Sequence, residues 1–345
     1  MKIAVTNTFL PSEQPSGVPN QVHHLANALC ARGHDVTVFS FSPRPVDAQY
    51  AVHQYQRPRV PSRWFAFVMA YRLATTDFSM FDVINPHGDN YLLRSKRPVV
   101  RTFHGSAVDE FKNAKTLQRR LFCLVTIPLE RVGAALADYV VGVSETTRAR
   151  MPSVQSVIPC GVDLEAFRSG PKTDLPTVLF VGTENGRKRG AWLAELFKTE
   201  VLPLVPTAEL RMVSEQQSFE PGVRRYGRVS NETLIELYRS SWAFCLPSTY
   251  EGFGVPYIEA MATRTAVVAT SPNPGAREVL SDGAYGAFVD DAKLADALKR
   301  ILLDAAVRED FEQRGAERSQ QYGWPIIAGR YEATFLTAAK AKAGT

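Results

Sequence analysis

Residues 242–261 constrain the fold more than any other stretch. Trp242–Leu246 is a short unbroken apolar run that reads as a buried strand. Pro247-Ser-Thr-Tyr-Glu-Gly-Phe-Gly follows, and then Val255-Pro-Tyr-Ile-Glu-Ala-Met. Gly252 and Gly254 let the backbone turn tightly and approach a ligand. Pro256 suits the start of a helix, where a missing N–H costs nothing. Strand, glycine loop and helix start make a place for an anionic group, because unpaired N–H groups and the helix dipole point at it. Glu251 sits in the loop and Glu259 about one turn into the helix, so they reach two different parts of one ligand.

The same cadence recurs along the chain. Lys2–Thr6 reads as a strand, followed by a polar loop and a helical pattern at Val22, Leu25, Ala26 and Leu29 that Gly33 ends. Asp35–Phe41 is the next strand, so the chain opens as a β-loop-α-β unit of a parallel sheet. Asp82–Asn85, Val99–Phe103 and Ala137–Val143 end in Pro86-His87-Gly88-Asp89, His104-Gly105 and Ser144-Glu145, respectively. Polar residues at successive strand ends line the sheet edge where open α/β sheets bind ligands. Residues 169–174 have linker composition, and the strand pattern restarts at Thr177–Gly182 and continues through Leu210–Val213, Ala243–Leu246 and Ala266–Ala269. The expected fold is α/β, two Rossmann-like doubly wound parallel-sheet domains with a cleft between them. Residues 1–170 form the first domain, residues 171–323 the second, and 324–345 a terminal helix.

Composition narrows the class. With 345 residues, 45% apolar and 22% charged, the chain supports two ordinary globular domains. No apolar run approaches a membrane span, and the polar N-terminus does not read as a signal peptide. Four scattered cysteines without a Cys-x-x-Cys pair point to a reducing cytoplasm. No metal-ligand spacing stands out, so no metal or other cofactor is expected. No Gly-x-Gly-x-x-Gly follows the first strand, which argues against a dehydrogenase. Residues 1–170 hold 19 Lys and Arg against 13 Asp and Glu, and the rest is nearly balanced. A basic first half suits an acidic partner such as an anionic membrane surface, or is an ordinary solvated surface. Nucleic acid is not expected, since no binding motif or long basic tract is present.

Pro-Ser, Glu-Gly-Phe-Gly and Glu-Ala-Met in this order resemble the nucleotide-sugar site of retaining glycosyltransferases of the GT-B fold, the large group 4 family. The resemblance runs from Met1 to about Val289. It implies a nucleoside diphosphate-sugar donor, a glycan, lipid or polyol acceptor, and an α-linkage made by front-face attack. It also implies that the last helix crosses back onto the first domain, and that no metal is required. Residue by residue, it places Gly17 close to the donor diphosphate, although this chain has Ser16-Gly17-Val18 where many members carry paired glycines. It places His104 beside the transferred sugar, with His87 a weaker, acceptor-facing candidate. Members typically carry Gly-Arg after the first strand of the second domain, and Lys-Gly a few residues later. Here Gly182-Thr183 lacks that arginine, which leaves Arg187, Lys188 and Arg189 as alternative diphosphate partners. Glu251, Gly252, Phe253 and Gly254 would meet the sugar and diphosphate, and Glu259 the ribose hydroxyls. Arg264 stands where the family usually has glycine, so that turn asks for a positive φ from an arginine.

Two rival activities share the fold: a nucleotide-sugar epimerase or hydrolase, and an inactive binding subunit. Three apolar-basic segments, Arg57–Arg72, Lys112–Leu124 (with Lys115) and Val125–Val132, suit either anionic lipid or core packing. If lipid, the enzyme would be peripheral at the inner face of the membrane.

Overall fold

The computed structural model describes residues 1–13, 17–114 and 116–343. Ser16 and Lys115 lie outside the described residues. The chain divides into two units, Met1–Gly161 with Trp324–Thr345, and Val162–Gly323.

In unit 1 the strands are β1 (Lys2–Thr6), β2 (Asp35–Ser40), β3 (Ala51–Gln54), β4 (Val83–Pro86), β5 (Val100–Phe103), β6 (Tyr139–Gly142) and β7 (Ser156–Val157). The helices are α1 (Gly17–Ala31), α2 (Phe65–Thr75), α3 (Ala107–Asn113), α4 (Leu117–Ala135), α5 (Glu145–Arg150) and, from the chain's end, α12 (Trp324–Ala343). The order β3-β2-β1-β4 continues through an Ile84–Val99 bridge into β5-β6-β7, and every pairing is parallel. Successive side chains on a strand take opposite faces. Ile3 and Val5 therefore pack with Val22, Leu25, Tyr331 and Phe335 under α1 and α12, while Ala4 packs with Phe39, Phe65, Met69 and Leu73 under α2. Helix α12 is tied down further by the Arg32–Glu332 ion pair and by Lys342 on Asp138 at 2.7 Å.

Unit 2 carries β8 (Thr177–Val181), β9 (Glu209–Val213), β10 (Gln217–Glu220), β11 (Val223–Tyr226), β12 (Ala243–Leu246), β13 (Ala266–Thr270) and β14 (Ala287–Val289). Its helices are α6 (Gly190–Leu196), α7 (Asn231–Ser240), α8 (Val255–Ala262), α9 (Pro274–Leu280), α10 (Leu294–Leu303) and α11 (Ala305–Ser319). The sheet order is β10-β11-β9-β8-β12-β13-β14, parallel except for the β10–β11 hairpin. Residues 162–170, grouped with the first domain on composition, pack in unit 2. Phe167 meets Tyr238 edge-on at 5.7 Å, and Arg239 donates to the carbonyls of Arg168 and Ala166.

In each unit the strand order reverses beside the first strand, between β1 and β4 and between β8 and β12. Ligands of open α/β sheets bind outside the strand ends at such reversals.

Candidate functional site

In unit 2 the loops after β8 and β12, on either side of the reversal, carry most of the residues singled out by sequence. Arg187 crosses from the first loop to the second. Its guanidinium donates to the Tyr250 carbonyl at 2.7 Å and to Ser248 Oγ at 3.3 Å, and is ion-paired with Glu251. Glu251 is buried, and its backbone N–H donates to Asn273 Oδ1 at 3.0 Å.

Lys188 lies across Gly182. A Cβ at 182 would fall 2.3 Å from Lys188 Cδ, so the glycine makes room for this side chain at the end of β8. Lys188 Nζ donates to the Val181 carbonyl at 3.3 Å. Burial lowers the Lys188 ammonium from its ordinary value, and the Glu251 and Glu259 carboxylates oppose that shift. Burial raises the Glu259 carboxyl to about 7, against the pull of the Tyr238 hydroxyl and of Lys188. A lysine and a glutamate thus share one poorly solvated corner, which is how binding sites come to hold perturbed titrating groups.

Arg189 is engaged differently from its neighbours. It sits in the left-handed region at φ 57° and donates to the Pro247 carbonyl at 2.6 Å and Thr270 Oγ1 at 2.9 Å. It also forms a forked pair with Asp291 and lies 4.3 Å over the Trp192 ring. Its guanidinium closes the loop against β12, β13 and Asp291.

Gly254 caps α8 in the left-handed region at φ 102°, and a Cβ there would meet the Tyr257 ring at 2.5 Å. Gly252 belongs to the same turn, but the Phe253 side chain is buried, edge-on to Tyr322 at 5.7 Å. Only its backbone remains for a ligand. Arg264 does adopt the left-handed conformation, at φ 55°.

Asn273 is the organiser that sequence reasoning missed. Its Oδ1 caps α9 at Ala276 N and also accepts from Glu251 N, while Nδ2 donates to the Ser248 carbonyl at 2.9 Å and to the Tyr257 hydroxyl at 3.0 Å. One buried amide spans the strand-to-helix turn from Ser248 to Tyr257. The residue lies 22 positions beyond Glu251, so no local pattern points to it.

In unit 1, Gly17 opens α1, and among the described residues beyond its own helix turn no atom lies within 4 Å of where a Cβ would stand. His104 follows β5 and His87 follows β4, two strands that adjoin at the Ile84–Val99 bridge. Their rings stack 5.1 Å apart, with His87 Nδ1 2.7 Å from His104 Nε2. They line a small, partly open recess with Gln21, Cys160, Trp324 and Tyr331. Burial, and secondarily the Arg101 guanidinium, lowers His104 to about 3. His87 is also pushed well down, by burial first, then by His104 and Arg101. Both imidazoles are therefore neutral at ordinary pH. His23 is structural, bonded to the Tyr50 hydroxyl at 2.8 Å.

The apolar-basic segments differ from one another. Helix α2 buries Phe65, Met69 and Leu73 in the core. Helix α4 turns a run of apolar side chains outward: Leu117 is 72% exposed, Leu121 55% and Val125 52%, with exposed Arg119 and Arg120 alongside. Among the described residues no helix is long and apolar enough to cross a membrane, and no group of three or more His, Cys, Asp or Glu is placed to hold a metal ion.

Two family models match the chain: Glycosyltransferase Family 4 over residues 15–166 and Glycosyl transferases group 1 over residues 206–318. A phosphatidyl-myo-inositol mannosyltransferase of Mycolicibacterium smegmatis is 28% identical over 361 residues, covering 94% of this chain and 90% of its own. Among solved structures, sucrose-phosphate synthase from Thermosynechococcus elongatus superposes with a TM-score of 0.77 at 22% identity, covering 99% of each chain. Anabaena Alr3699/HepE, solved in complex with UDP and glucose, superposes with a TM-score of 0.75 at 17% identity, covering 97% of this chain and 99% of its own. The chain belongs to the group 4 family of glycosyltransferases, and its fold is GT-B.

Proposed function

We propose that this glycosyltransferase takes a hexose from a nucleoside diphosphate-sugar held by unit 2 and delivers it, with retention, to a hydroxyl of a lipid-linked or polyol acceptor. The observation that carries the reading is the corner of Lys188, Arg187, Glu251 and Glu259 at the ends of β8 and β12. Two cations beside a helix start suit a diphosphate, and two carboxylates suit sugar hydroxyls. The bond from the anomeric carbon to the β-phosphate oxygen breaks while a bond to the acceptor oxygen forms on the same face. The acceptor's proton passes to the departing phosphate. Lys188 and Arg187 offset charge on that leaving group as it develops. Glu259 receives the ribose hydroxyls and Glu251 the sugar hydroxyls. Gly252, Gly254 and Gly17 keep the backbone bare beside the diphosphate, and Phe253 contributes through its main chain.

The reading assigns the diphosphate's charge to side chains and not to a metal, so transfer is expected to survive EDTA. A mannose donor is the first to test, because the mycobacterial relative is a mannosyltransferase acting on a phosphatidyl-inositol. The exposed apolar and basic side chains of α4 support an enzyme working in the cytoplasm at an anionic membrane surface. The test is transfer from GDP-mannose and UDP-glucose to phosphatidylinositol in detergent, with the product's anomeric configuration read by NMR. An α-product supports retention, and a β-product contradicts it.

A further inference from the structure

The two histidines at the ends of β4 and β5 form part of a longer chain of hydrogen bonds whose directions can be worked out atom by atom. The starting point is Asn85, on β4 and fully buried. Its Nδ2 lies 2.6 Å from the Val100 carbonyl and 3.1 Å from Thr102 Oγ1. A backbone carbonyl only accepts, so the amide nitrogen must face Val100 and the amide oxygen must face the other way. That oxygen lies 2.8 Å from His87 Nε2. An amide oxygen likewise only accepts, so His87 carries its proton on Nε2. A neutral His87 then has a lone pair at Nδ1, which lies 2.7 Å from His104 Nε2. The donor in this last bond must be His104, whose own proton is therefore on Nε2.

The remaining arrangement, a cationic His87 donating from both nitrogens, is opposed by its surroundings. His87 is buried, and Arg101 on β5 presses a positive charge on the pair. Tyr331 on α12, which also lines the recess, is raised further by burial and supplies no negative charge at neutral pH.

We infer that Asn85 and His87 are positioning residues that hold His104 as the neutral tautomer, protonated at Nε2 and bare at Nδ1. His104 Nδ1 has no protein partner among the described residues. Toward a substrate His104 is then a hydrogen-bond acceptor and not a donor. It accepts a hydrogen bond from a hydroxyl group, as sugars and polyols present, and donates none to a phosphate oxygen. This deepens the reading of His104 as a residue at the transferred sugar, and rests on that reading for its role but not for its geometry.

The experiment is a long-range proton–nitrogen NMR spectrum of the full chain labelled with nitrogen-15 histidine. Six histidines are present, and His104 is assigned by the signals that vanish in His104→Ala. At pH 7 the expected pattern for His104 is a protonated Nε2 and an unprotonated Nδ1. His87→Gln should keep that pattern, because its amide nitrogen reaches Asn85 and its amide oxygen accepts from His104. His87→Phe should lose it to a mixture of tautomers. A protonated Nδ1 in the unaltered protein, or an unchanged pattern in His87→Phe, overturns the relay. Should His87→Phe fail to fold, the unaltered protein and His87→Gln still decide. The spectrum is read without substrate, so a protein that binds no donor could still pass, and one that binds a donor could still fail.

Discussion

The guanidinium of Arg187 is ion-paired with the buried carboxylate of Glu251, across 64 residues of sequence. A sugar that uses Glu251 must share it with Arg187, and the diphosphate attached to that sugar gives Arg187 a second anion to hold. Glu251→Gln preserves shape and removes charge. Turnover should fall roughly 10²-fold, the scale of a lost polar contact to a transition state, with a smaller change in nucleotide affinity. Single-turnover kinetics beside calorimetry separates the two, and unaltered turnover would remove Glu251 from the reacting sugar.

Glu259 sets a pH dependence with a definite sign. Its carboxyl titrates at about 7 in the folded chain against an ordinary 4.5. The folded chain therefore holds a proton that the unfolded chain has released. Between those values the ligand-free protein loses stability as pH rises, and above about 7 the loss is complete. A ribose whose hydroxyls donate to Glu259 favours the carboxylate. Nucleotide affinity should then rise with pH up to about 7, by at most about tenfold per unit. Calorimetry at pH 6 and pH 8 in buffers of different ionisation enthalpy measures this, and Glu259→Gln should flatten it. Equal affinity at pH 6 and pH 8 would contradict a ribose contact at Glu259.

Asn273→Ala removes four hydrogen bonds around one buried turn. Leaving the Ser248 carbonyl and Glu251 N–H without partners should cost about 2–4 kcal/mol, a helix cap plus unsatisfied buried groups. A lowered melting temperature with weakened nucleotide binding is the expected pair of results. Unchanged stability would mean that the loop holds its shape without Asn273.

What could be read from the sequence was whatever chemistry lay within one strand-loop-helix segment. Buried parallel strands are continuous apolar runs, so β1, β4, β5, β8, β12 and β13 show themselves, and the residues at their ends come with them. The β10–β11 hairpin does not, because Gln217–Glu220 is a polar edge strand with no apolar run. Arg189 looked like Arg187 and Lys188 because a charge run does not reveal partners. Its partner Asp291 lies 102 residues away, and only the fold shows that this cation is already satisfied. The pairing of His87 with His104 was hidden for the same reason, since strands β4 and β5 bring them together from separate motifs.

Gly17 and Gly254 should respond to alanine in opposite ways. Gly254 is in the left-handed region against the Tyr257 ring, so Gly254→Ala should cost about 1–3 kcal/mol of backbone strain and distort the start of α8. Gly17 has open space, so Gly17→Ala should leave the melting temperature within a degree or so. Weaker donor binding in that unperturbed variant supports a diphosphate close to Gly17, and unchanged binding removes it from the site.

Helix α4 carries the membrane test. Binding to phosphatidylglycerol vesicles should be strong at low salt and weaken as salt screens Arg119 and Arg120. Leu121→Asp, at an exposed position, should reduce binding without lowering stability. No binding of the unaltered protein at low salt would assign α4 to some other use.

The most direct measurement of the central claim is the melting temperature of the full chain with UDP, GDP, ADP and TDP, with and without EDTA. A ligand that binds only the folded state raises it, by an amount set by concentration over Kd. A clear rise is expected with one of the four, undiminished by EDTA and lost in Glu259→Ala and Lys188→Ala. No rise with any nucleotide from a cooperatively folding sample would contradict a donor site in unit 2.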